Sequence, residues 1–234
     1  MNVLITGASR GIGAAAYALL KAAGHRTAGH STKGSDELIA GDLADFAAPR
    51  DIWDTALAEL GGQIDVLVNN AGIYEGVPDN ATDEEWHAAW ARTMTINLQA
   101  AADLSKLAVS HFLDLGTPGR IINVASRAAF RGDSPQHWHY AASKAGMVGM
   151  TRTIARGYAS DGILCFAVAP GFTVSEMTTD YLEGRGGAQI VADIPLGRVA
   201  STDEVAEVIR WLATDAPASA TGSVIDVNGA SYVR

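Results

Sequence analysis

Cysteine is nearly absent from this 234-residue sequence, which contains only Cys165. An internal disulfide is therefore impossible, and there is no pair of cysteines to hold zinc, so we expect no metal site. Long hydrophobic runs are lacking too, because the longest uninterrupted one, Ile163 to Pro170, is far too short to span a bilayer. Met1 and Asn2 lead directly into an apolar segment, with no basic region or cleavage site, so we expect a cytoplasmic protein.

Positive charge is also scarce. The 17 Lys and Arg residues are outnumbered by 26 Asp and Glu residues, and the formal net charge is −9. This charge repels nucleic-acid phosphates and anionic lipids, so we expect neither nucleic acid nor membrane as a partner. Hydrophobic residues make up 48% of the chain and charged residues 18%, which suits a packed core. No low-complexity tract or linker interrupts the sequence, and we predict a single domain over residues 1–234.

Short apolar segments alternate with longer segments of helical periodicity. The predicted strands are residues 3–5, 27–30, 38–40, 64–68, 121–124, 163–169 and 223–227. The predicted helices are residues 12–23, 49–60, two within 83–115, 140–160, and a last one that starts from the capping box of Ser201 and Glu204. About seven residues separate the second and third strands, which is too few for a helix. The alternation predicts an α/β fold with a doubly wound parallel sheet of about seven strands, which binds its ligand at the carboxyl ends of the strands.

A glycine-rich loop, T-G-A-S-R-G-I-G at residues 6–13, follows the first predicted strand. Its glycines let the backbone approach a pyrophosphate, and the next helix directs its N-terminal N–H groups at the negative charge. The loop predicts a nucleotide site, although an ordinary strand-to-helix turn can have the same composition. No Lys-Ser or Lys-Thr pair follows the glycines, which excludes an NTP-hydrolysing P-loop.

Tyr140 and Lys144 are four residues apart on a predicted helix, so the phenol and the ammonium share a face. At ~4–5 Å and an effective dielectric constant of ~20, an ammonium lowers the pKa of a phenol by ~2–3 units. That shift would prepare tyrosine for general acid–base catalysis. The alternative is a solvated Tyr–Lys pair on a helix surface.

Together these two motifs resemble the short-chain dehydrogenase/reductase family, and the resemblance covers essentially the whole chain. Further matches follow in order along the sequence: Asp42 in G-D-L, Asn69 to Gly72 as N-N-A-G, Asn97 in I-N-L, Ser126 fourteen residues before Tyr140, and Pro170-Gly171. The resemblance implies a Rossmann-like fold and an NAD(P)-dependent oxidoreductase that interconverts a carbonyl and a secondary alcohol. Small ketones and 3-oxoacyl thioesters are the implied substrates.

The family resemblance also assigns roles to individual residues. Tyr140 is the implied general acid/base, Lys144 lowers its pKa and binds the nicotinamide ribose, Ser126 binds the substrate oxygen, and Asn97 holds a relay water. The implied cofactor contacts are Gly7, Ser9, Arg10, Gly11, Ile12, Gly13, Ser31, Thr32, Lys33, Asp42, Leu43, Asn70, Ala71, Gly72, Tyr140, Lys144, Pro170, Gly171 and Thr173, with Ser175 as the alternative to Thr173. Residues 172–195 are the predicted substrate lid.

The expected cofactor is NADP, with NAD as the alternative. An acidic residue at the end of the second strand would favour NAD, but Ser31, Thr32 and Lys33 occupy that place and the first acid is Asp36. Hydroxyl groups and cations suit a 2′-phosphate, and Arg10 in the glycine-rich loop is a second candidate cation. Arg10 is also compatible with NAD.

Several interpretations remain open at this stage. The helix at residues 202–213, which carries Trp211, and the last strand resemble family elements that pair in a homotetramer, with a dimer as the alternative. The protein is either an enzyme or a regulatory protein that binds the cofactor without turnover; the glycine spacing and short C-terminal half disfavour a sugar-nucleotide epimerase. His137 and His139 are a possible metal pair, although a pocket edge or a solvated loop is favoured. Arg127 and Arg131 either meet an anionic substrate or face water, with water slightly favoured.

Overall fold

The computed structural model describes residues 1–174 and 187–234 of the chain. Seven parallel strands form one sheet in the order β3-β2-β1-β4-β5-β6-β7. The strands are β1 (Asn2–Ile5), β2 (Arg26–Ser31), β3 (Leu38–Ala40), β4 (Val66–Asn69), β5 (Gly119–Val124), β6 (Ile163–Pro170) and β7 (Val224–Val227). The prediction of a doubly wound parallel α/β sheet is therefore confirmed.

Helices cover both faces of the sheet, as parallel strands with crossover connections require. They are α1 (Gly11–Ala22), α2 (Ala48–Glu59), α3 (Asp83–Met94), α4 (Ala100–Leu115), α5 (Ala128–Arg131), α6 (Trp138–Tyr158), α7 (Gly187–Ala192) and α8 (Thr202–Thr214). Apolar side chains of α1 and α8 pack in one core on one face, and those of α2 and α4 pack in a second core on the other. Every residue of β6 is buried, which explains its uninterrupted apolar sequence.

The residues predicted to bind or react with ligands follow the strands at one edge of the sheet. The glycine-rich loop follows β1, Asn70 follows β4, Ser126 follows β5 and Gly171 follows β6. Strand register brings these ends together, since Asn69 pairs with Asn123 on β5. A parallel sheet thus gathers residues that are far apart in sequence at its carboxyl edge.

The structure departs from the sequence-based expectations in a few elements. The two helices predicted within residues 83–115 are present, but a π-helical turn, Thr95–Gln99, joins them directly. The short helix α5 was not predicted. His111 on α4 is half-buried, packs against Trp53 and accepts a hydrogen bond from the Ile64 N–H at 3.2 Å. Between β2 and β3 there is no helix, as expected.

The predicted lid, residues 172–195, is described only in part, because residues 175–186 lie outside the described residues. In the part of the chain that the structure covers, no helix is both long and apolar enough to cross a membrane.

Candidate active site

The glycine-rich loop after β1 is fastened to the loop after β4 by side chains from both. The Thr6 hydroxyl accepts hydrogen bonds from the Asn70 and Ala71 N–H groups at 3.0 and 3.1 Å. In return the Asn70 amide donates to the carbonyls of Thr6 and Gly7 at 2.9 and 3.1 Å. A Cβ at Gly13 would lie 2.1 Å from the Gly7 carbonyl oxygen, so glycine is required there for the loop to close.

The N-terminus of α1 opens from this loop with the features of an anion site. Gly7 and Gly11 have φ values of +69° and +59°, which turn the backbone into the helix. Within the described helix, the first turn has no acidic residue and the Arg10 side chain makes no capping bond. Ser9 and Arg10 are exposed at the same place. The first N–H groups of the helix and its dipole therefore suit the pyrophosphate of a dinucleotide.

His30 on β2 is a supporting residue that sequence analysis missed. Its side chain is only 2% exposed, and its Nε2 lies 2.9 Å from the Gly41 carbonyl, which can only accept a hydrogen bond. In the neutral ring Nδ1 is then an acceptor, and the Gly7 N–H donates to it at 3.4 Å. Burial lowers the pKa of His30, which keeps this neutral tautomer. A lone histidine in a strand gives no sequence signal of this role.

The predicted adenosine contacts lie at the ends of β2 and β3. Ser31 is buried and its hydroxyl accepts from the Gly34 N–H at 3.1 Å, whereas Thr32 and Lys33 next to it are exposed. Asp42 is exposed, and its carboxylate caps a turn by accepting from the Ala44 N–H at 3.0 Å. Leu43 is 6% exposed and its side chain packs in the core.

Ser126 and Tyr140 face each other across the carboxyl end of β5. Ser126 lies just beyond β5, where its hydroxyl accepts from the Ala128 N–H at 3.1 Å. The half-buried Tyr140 lies in the first turn of α6, where the nearby Ser126 side chain acts to lower the pKa of the phenol. Tyr74, which sequence analysis did not identify, packs edge-on against the Tyr140 ring at a centroid distance of 4.8 Å. The Tyr74 hydroxyl donates to Asp133 at 2.9 Å, which orients this aromatic wall.

Lys144 extends beneath the Tyr140 ring. Its side chain is 4% exposed, and Nζ lies 5.8 Å from the ring centroid. The ammonium donates to the Val124 carbonyl at 2.8 Å and contacts the Met147 sulfur at 3.7 Å. The i, i+4 spacing therefore does place both groups on one buried face, and the solvated surface pair is excluded.

The pKa values of the pair correct one expectation. Burial raises the pKa of Tyr140 to about 12, and the nearby Ser126 side chain opposes this shift only in part. Burial also lowers the pKa of Lys144 to about 8. The expected shift of the phenol pKa towards neutrality is therefore not found in the protein alone, because the loss of water around the phenol raises this pKa instead.

Asn97 lies in the π-helical turn between α3 and α4 and is fully buried. Its Oδ1 accepts from the Ile73 N–H at 2.8 Å, and its Nδ2 donates to the Ile73 carbonyl at 3.0 Å. A Cβ at Gly72 would lie 3.3 Å from Asn97 Oδ1 and 3.5 Å from Lys144 Nζ, so Gly72 separates these two polar groups. Asn97 thus comes next to the lysine, as the resemblance implied.

The nicotinamide side of the predicted site is formed at the end of β6. Pro170 is buried, and a Cβ at Gly171 would lie 2.8 Å from the Asn228 Cβ, so the turn lies directly against the loop after β7. Thr173 is 5% exposed and its hydroxyl donates to the Gly171 carbonyl at 3.3 Å. Ser175, the alternative to Thr173, lies outside the described residues.

The two histidines before Tyr140 are both buried, so neither lies in a solvated loop. His137 is 8% exposed, stacks on Tyr74 at a centroid distance of 3.9 Å and shares a 2.7 Å hydrogen bond with the Ser134 hydroxyl. His139 is fully buried and packs near Trp90. Among residues 1–174 and 187–234 there is no group of three or more side chains able to hold a metal ion.

The role of His30 predicts a pH dependence of stability. Because its folded pKa is lowered from the ordinary 6.5, the unfolded chain binds this proton first as the pH falls below 6.5. The free energy of unfolding should therefore decrease from pH 7 to pH 5, and His30→Gln should reduce that slope by up to about one proton, or about 1.4 kcal/mol per pH unit. Urea denaturation at several pH values measures the free energy of unfolding and hence this slope. The exposed His87→Gln variant is the control; equal slopes in all three proteins would contradict this role.

Comparison with known proteins agrees with this geometry. A family model described as Enoyl-(Acyl carrier protein) reductase matches residues 7–230. The 3-oxoacyl-(acyl-carrier-protein) reductase FabG of Escherichia coli (strain K12) is 36% identical over 243 residues, which cover 98% of this chain and 96% of that protein. Acetoacetyl-CoA reductase of Rhizobium meliloti (strain 1021) is 34% identical over 242 residues, with 98% and 97% covered.

A solved structure gives the same result. The short chain dehydrogenase from Burkholderia cenocepacia J2315, crystallised in complex with NADP, superposes with a TM-score of 0.87 at 28% identity and covers 98% of this chain and 97% of its own. The sequence motifs, the sheet topology and these matches agree over nearly the full length. The chain belongs to the short-chain dehydrogenase/reductase family.

Proposed function

We propose that this protein is an NADP-dependent oxidoreductase that interconverts a carbonyl group and a secondary alcohol. The observation that carries the proposal is the buried Lys144 ammonium, 5.8 Å from the centre of the Tyr140 ring, with the Ser126 hydroxyl near enough to the phenol to lower its pKa. A protein that only bound the cofactor could use the buried lysine to hold the ribose, but it would not need a proton donor placed between that lysine and the Ser126 hydroxyl. Catalysis explains why the arrangement is present.

In the direction of carbonyl reduction, Tyr140 supplies the proton. Because its pKa is raised to about 12, the phenol is protonated at neutral pH and can donate to the substrate oxygen. The Ser126 hydroxyl donates a second hydrogen bond to that oxygen and stabilises the charge that develops on it. In the reverse direction Tyr140 must lose its proton, and the positive charge of Lys144 favours that state. Asn97, next to Lys144, holds the water that links the lysine to solvent.

The residues around the site suit the dinucleotide that this reaction needs. When bound, NADP supplies or accepts the hydride. The N–H groups at the start of α1 would hold its pyrophosphate, and the lack of a Cβ at Gly7 and Gly13 lets the loop that carries them close against Asn70. Tyr140 and Lys144 lie where the nicotinamide ribose would be held, and the turn at Gly171 borders the nicotinamide.

The choice of NADP over NAD rests on charge at the end of β2. Ser31 ends this strand, and exposed Lys33 follows it, whereas an acid at this place would repel a 2′-phosphate. The exposed acid Glu37 is drawn towards Lys21, at 3.5 Å. Arg10 on the neighbouring loop adds a second cation. The relative from Burkholderia cenocepacia was crystallised with NADP, which agrees with this choice.

The substrate is a small carbonyl compound, and we propose a small ketone or a 3-oxoacyl thioester. The names of the relatives from Escherichia coli and Rhizobium meliloti denote reductases of a 3-oxoacyl-(acyl-carrier-protein) and of acetoacetyl-CoA. Their similarity over nearly the full length supports the same class of reaction here. A cytoplasmic location fits such substrates and remains a prediction.

Replacement of Tyr140 by Phe tests catalysis directly. The substitution keeps the ring but removes the proton, so turnover should fall by ~10²–10⁴ or more, while the dissociation constant for NADPH stays within about threefold. Nicotinamide absorbance measures turnover and NADPH fluorescence measures binding. Tyr158→Phe, at the far end of α6, is the matched control and should keep normal rates. Near-normal turnover in Tyr140→Phe would show that the mechanism is wrong.

Comparison of kcat/KM for NADPH and NADH tests the cofactor. The wild type should prefer NADPH, and Ser31→Asp should lower kcat/KM for NADPH by about 10-fold or more, since a carboxylate there repels the 2′-phosphate. Ser35→Asp adds the same charge at an exposed position and should have a smaller effect. A preference of the wild type for NADH would overturn this part of the proposal.

We further propose a homotetramer, with a dimer as the alternative. Strand β7 is an edge of the described sheet and all four of its residues are half-buried, so the edge can pair with a second chain. Trp211 on α8 is less available than expected, because it packs partly against the core of its own chain. Light scattering at micromolar concentration should give about four times the 24.4 kDa chain mass. A monomer would reject assembly, and a dimer would reject the tetramer.

A further inference from the structure

Arg127 directly follows Ser126, and its backbone is fixed on both sides. The Arg127 N–H donates to the Pro170 carbonyl at 2.9 Å, which ties the end of β5 to the end of β6. The Arg127 carbonyl accepts from the N–H groups of Phe130 and Arg131 at 3.0 and 3.1 Å, which starts the short helix α5. The side chain therefore leaves the backbone at a defined place, one residue from the hydroxyl that faces Tyr140.

The guanidinium of Arg127 is positioned by an aromatic ring, and within residues 1–174 and 187–234 it forms no ion pair with a carboxylate. Its central carbon lies 4.9 Å from the ring centroid of Phe172, just after the turn at Gly171. Its Nη1 is buried and has no hydrogen-bond partner among the described residues. A buried N–H of a charged group without an acceptor is unfavourable and rare in folded proteins, so it calls for an explanation.

The charged neighbours do not provide that acceptor. Burial lowers the pKa of Arg127, and the second cation Arg131 lowers it further, whereas the carboxylates of Asp193 and Asp133 act against this shift. The nearby carboxylates are engaged by other groups: Asp193 binds Arg131 at 2.9 Å, and Asp133 accepts from the Tyr74 hydroxyl at 2.9 Å. Arginine nevertheless stays protonated in proteins, so a positive charge remains beside the site. The expectation that Arg127 faces water is therefore not met at Nη1.

Tyr74 relates this charge to the reacting group. Its ring packs edge-on against Tyr140 at a centroid distance of 4.8 Å, and its hydroxyl is close enough to Arg127 to interact with it electrostatically. Arg127 is thus one residue from Ser126 along the chain and separated from Tyr140 by a single side chain. An anion bound by Arg127 would therefore lie near Tyr74, the side chain that packs against Tyr140.

We propose that Arg127 binds the carboxylate of the substrate, so that the preferred substrates are short oxo acids and the matching hydroxy acids. The planar guanidinium suits a carboxylate, which can accept two parallel hydrogen bonds from it. An acyl thioester of a carrier carries its charges at the far end of a long arm, not beside the reacting carbonyl, and has no group for this position. The inference rests on the proposed carbonyl reduction and narrows its substrate class.

Matched substrates test the proposal. We would measure kcat/KM with saturating NADPH for 2-, 3- and 4-oxo acids and for the methyl ester of each. For at least one chain length the wild type should prefer the acid by about 10-fold or more, because the ester cannot pair with the guanidinium. Arg127→Met should lower kcat/KM for that acid by about 100-fold and change it for the ester by less than about threefold. If Arg127 had a purely structural role, the substitution would lower kcat/KM equally for the acid and for its ester.

Two variants and one binding measurement complete the design. Arg127→Lys keeps the charge without the planar group and should retain part of the preference for the acid. Arg131→Met removes the neighbouring arginine, which binds Asp193, and should leave the acid-to-ester ratio within about threefold. Butanoate, an unreactive carboxylate, should bind to the wild type with NADP in calorimetry but not to Arg127→Met. The uncharged butanamide should give the same calorimetric result with both proteins.

The outcomes separate this inference from the proposed function. If neutral ketones and esters are reduced as well as the acids, or if Arg131→Met abolishes the preference as Arg127→Met does, the assignment of Arg127 is overturned and carbonyl reduction stands. If neither acids nor neutral carbonyl compounds are reduced, both proposals fail. Loss of acid and ester activity together in Arg127→Met, with butanoate binding intact, would also overturn the assignment.

Discussion

The ammonium group of Lys144 is buried beneath Tyr140 and donates to the Val124 carbonyl at the end of β5. Burying a cation is unfavourable, and a carbonyl and a thioether satisfy it only in part, so its pKa falls to about 8. The same lack of water raises the pKa of the phenol to about 12. Burial therefore sets the protonation of both groups: it keeps the phenol that we propose as the catalyst protonated at neutral pH, and it makes the ammonium behind it easier to deprotonate.

The rest of the edge of the sheet depends on similar internal bonds. Asn97 reaches the site because a π-helical turn interrupts α3 and α4, and Gly72 leaves room between its amide and Lys144. The hydrogen bonds between Thr6 and Asn70 hold the glycine-rich loop in place. Its glycines permit the loop after β4 to come close to it. Bonds between neighbouring strand ends thus organise the site before any ligand binds, which reduces the entropy cost of binding.

The features that could be predicted from the sequence are those that depend on the order and periodicity of residues along the chain. The alternation of strands and helices predicted the parallel sheet, and the four-residue spacing of Tyr140 and Lys144 predicted that both side chains lie on one face of a helix. The sequence could not predict the groups whose roles depend on neighbours distant in sequence. His30 is a single histidine in a strand until its contacts to two loops are known, and Arg127 is an ordinary surface cation until Phe172 covers it. The phenol pKa was misjudged because pairwise charge can be estimated from spacing, whereas desolvation cannot.

The pH dependence of alcohol oxidation, measured as kcat/KM with saturating NADP in the wild type and in Lys144→Met, tests the coupling between the lysine and the phenol most directly. The wild-type rate should rise with pH as the phenol loses its proton. In Lys144→Met the same rise should move to higher pH by about one unit or more, because the ammonium no longer favours the phenolate. Profiles that coincide in position and height would contradict the account, since Lys144 would then have no part in the ionisation of Tyr140.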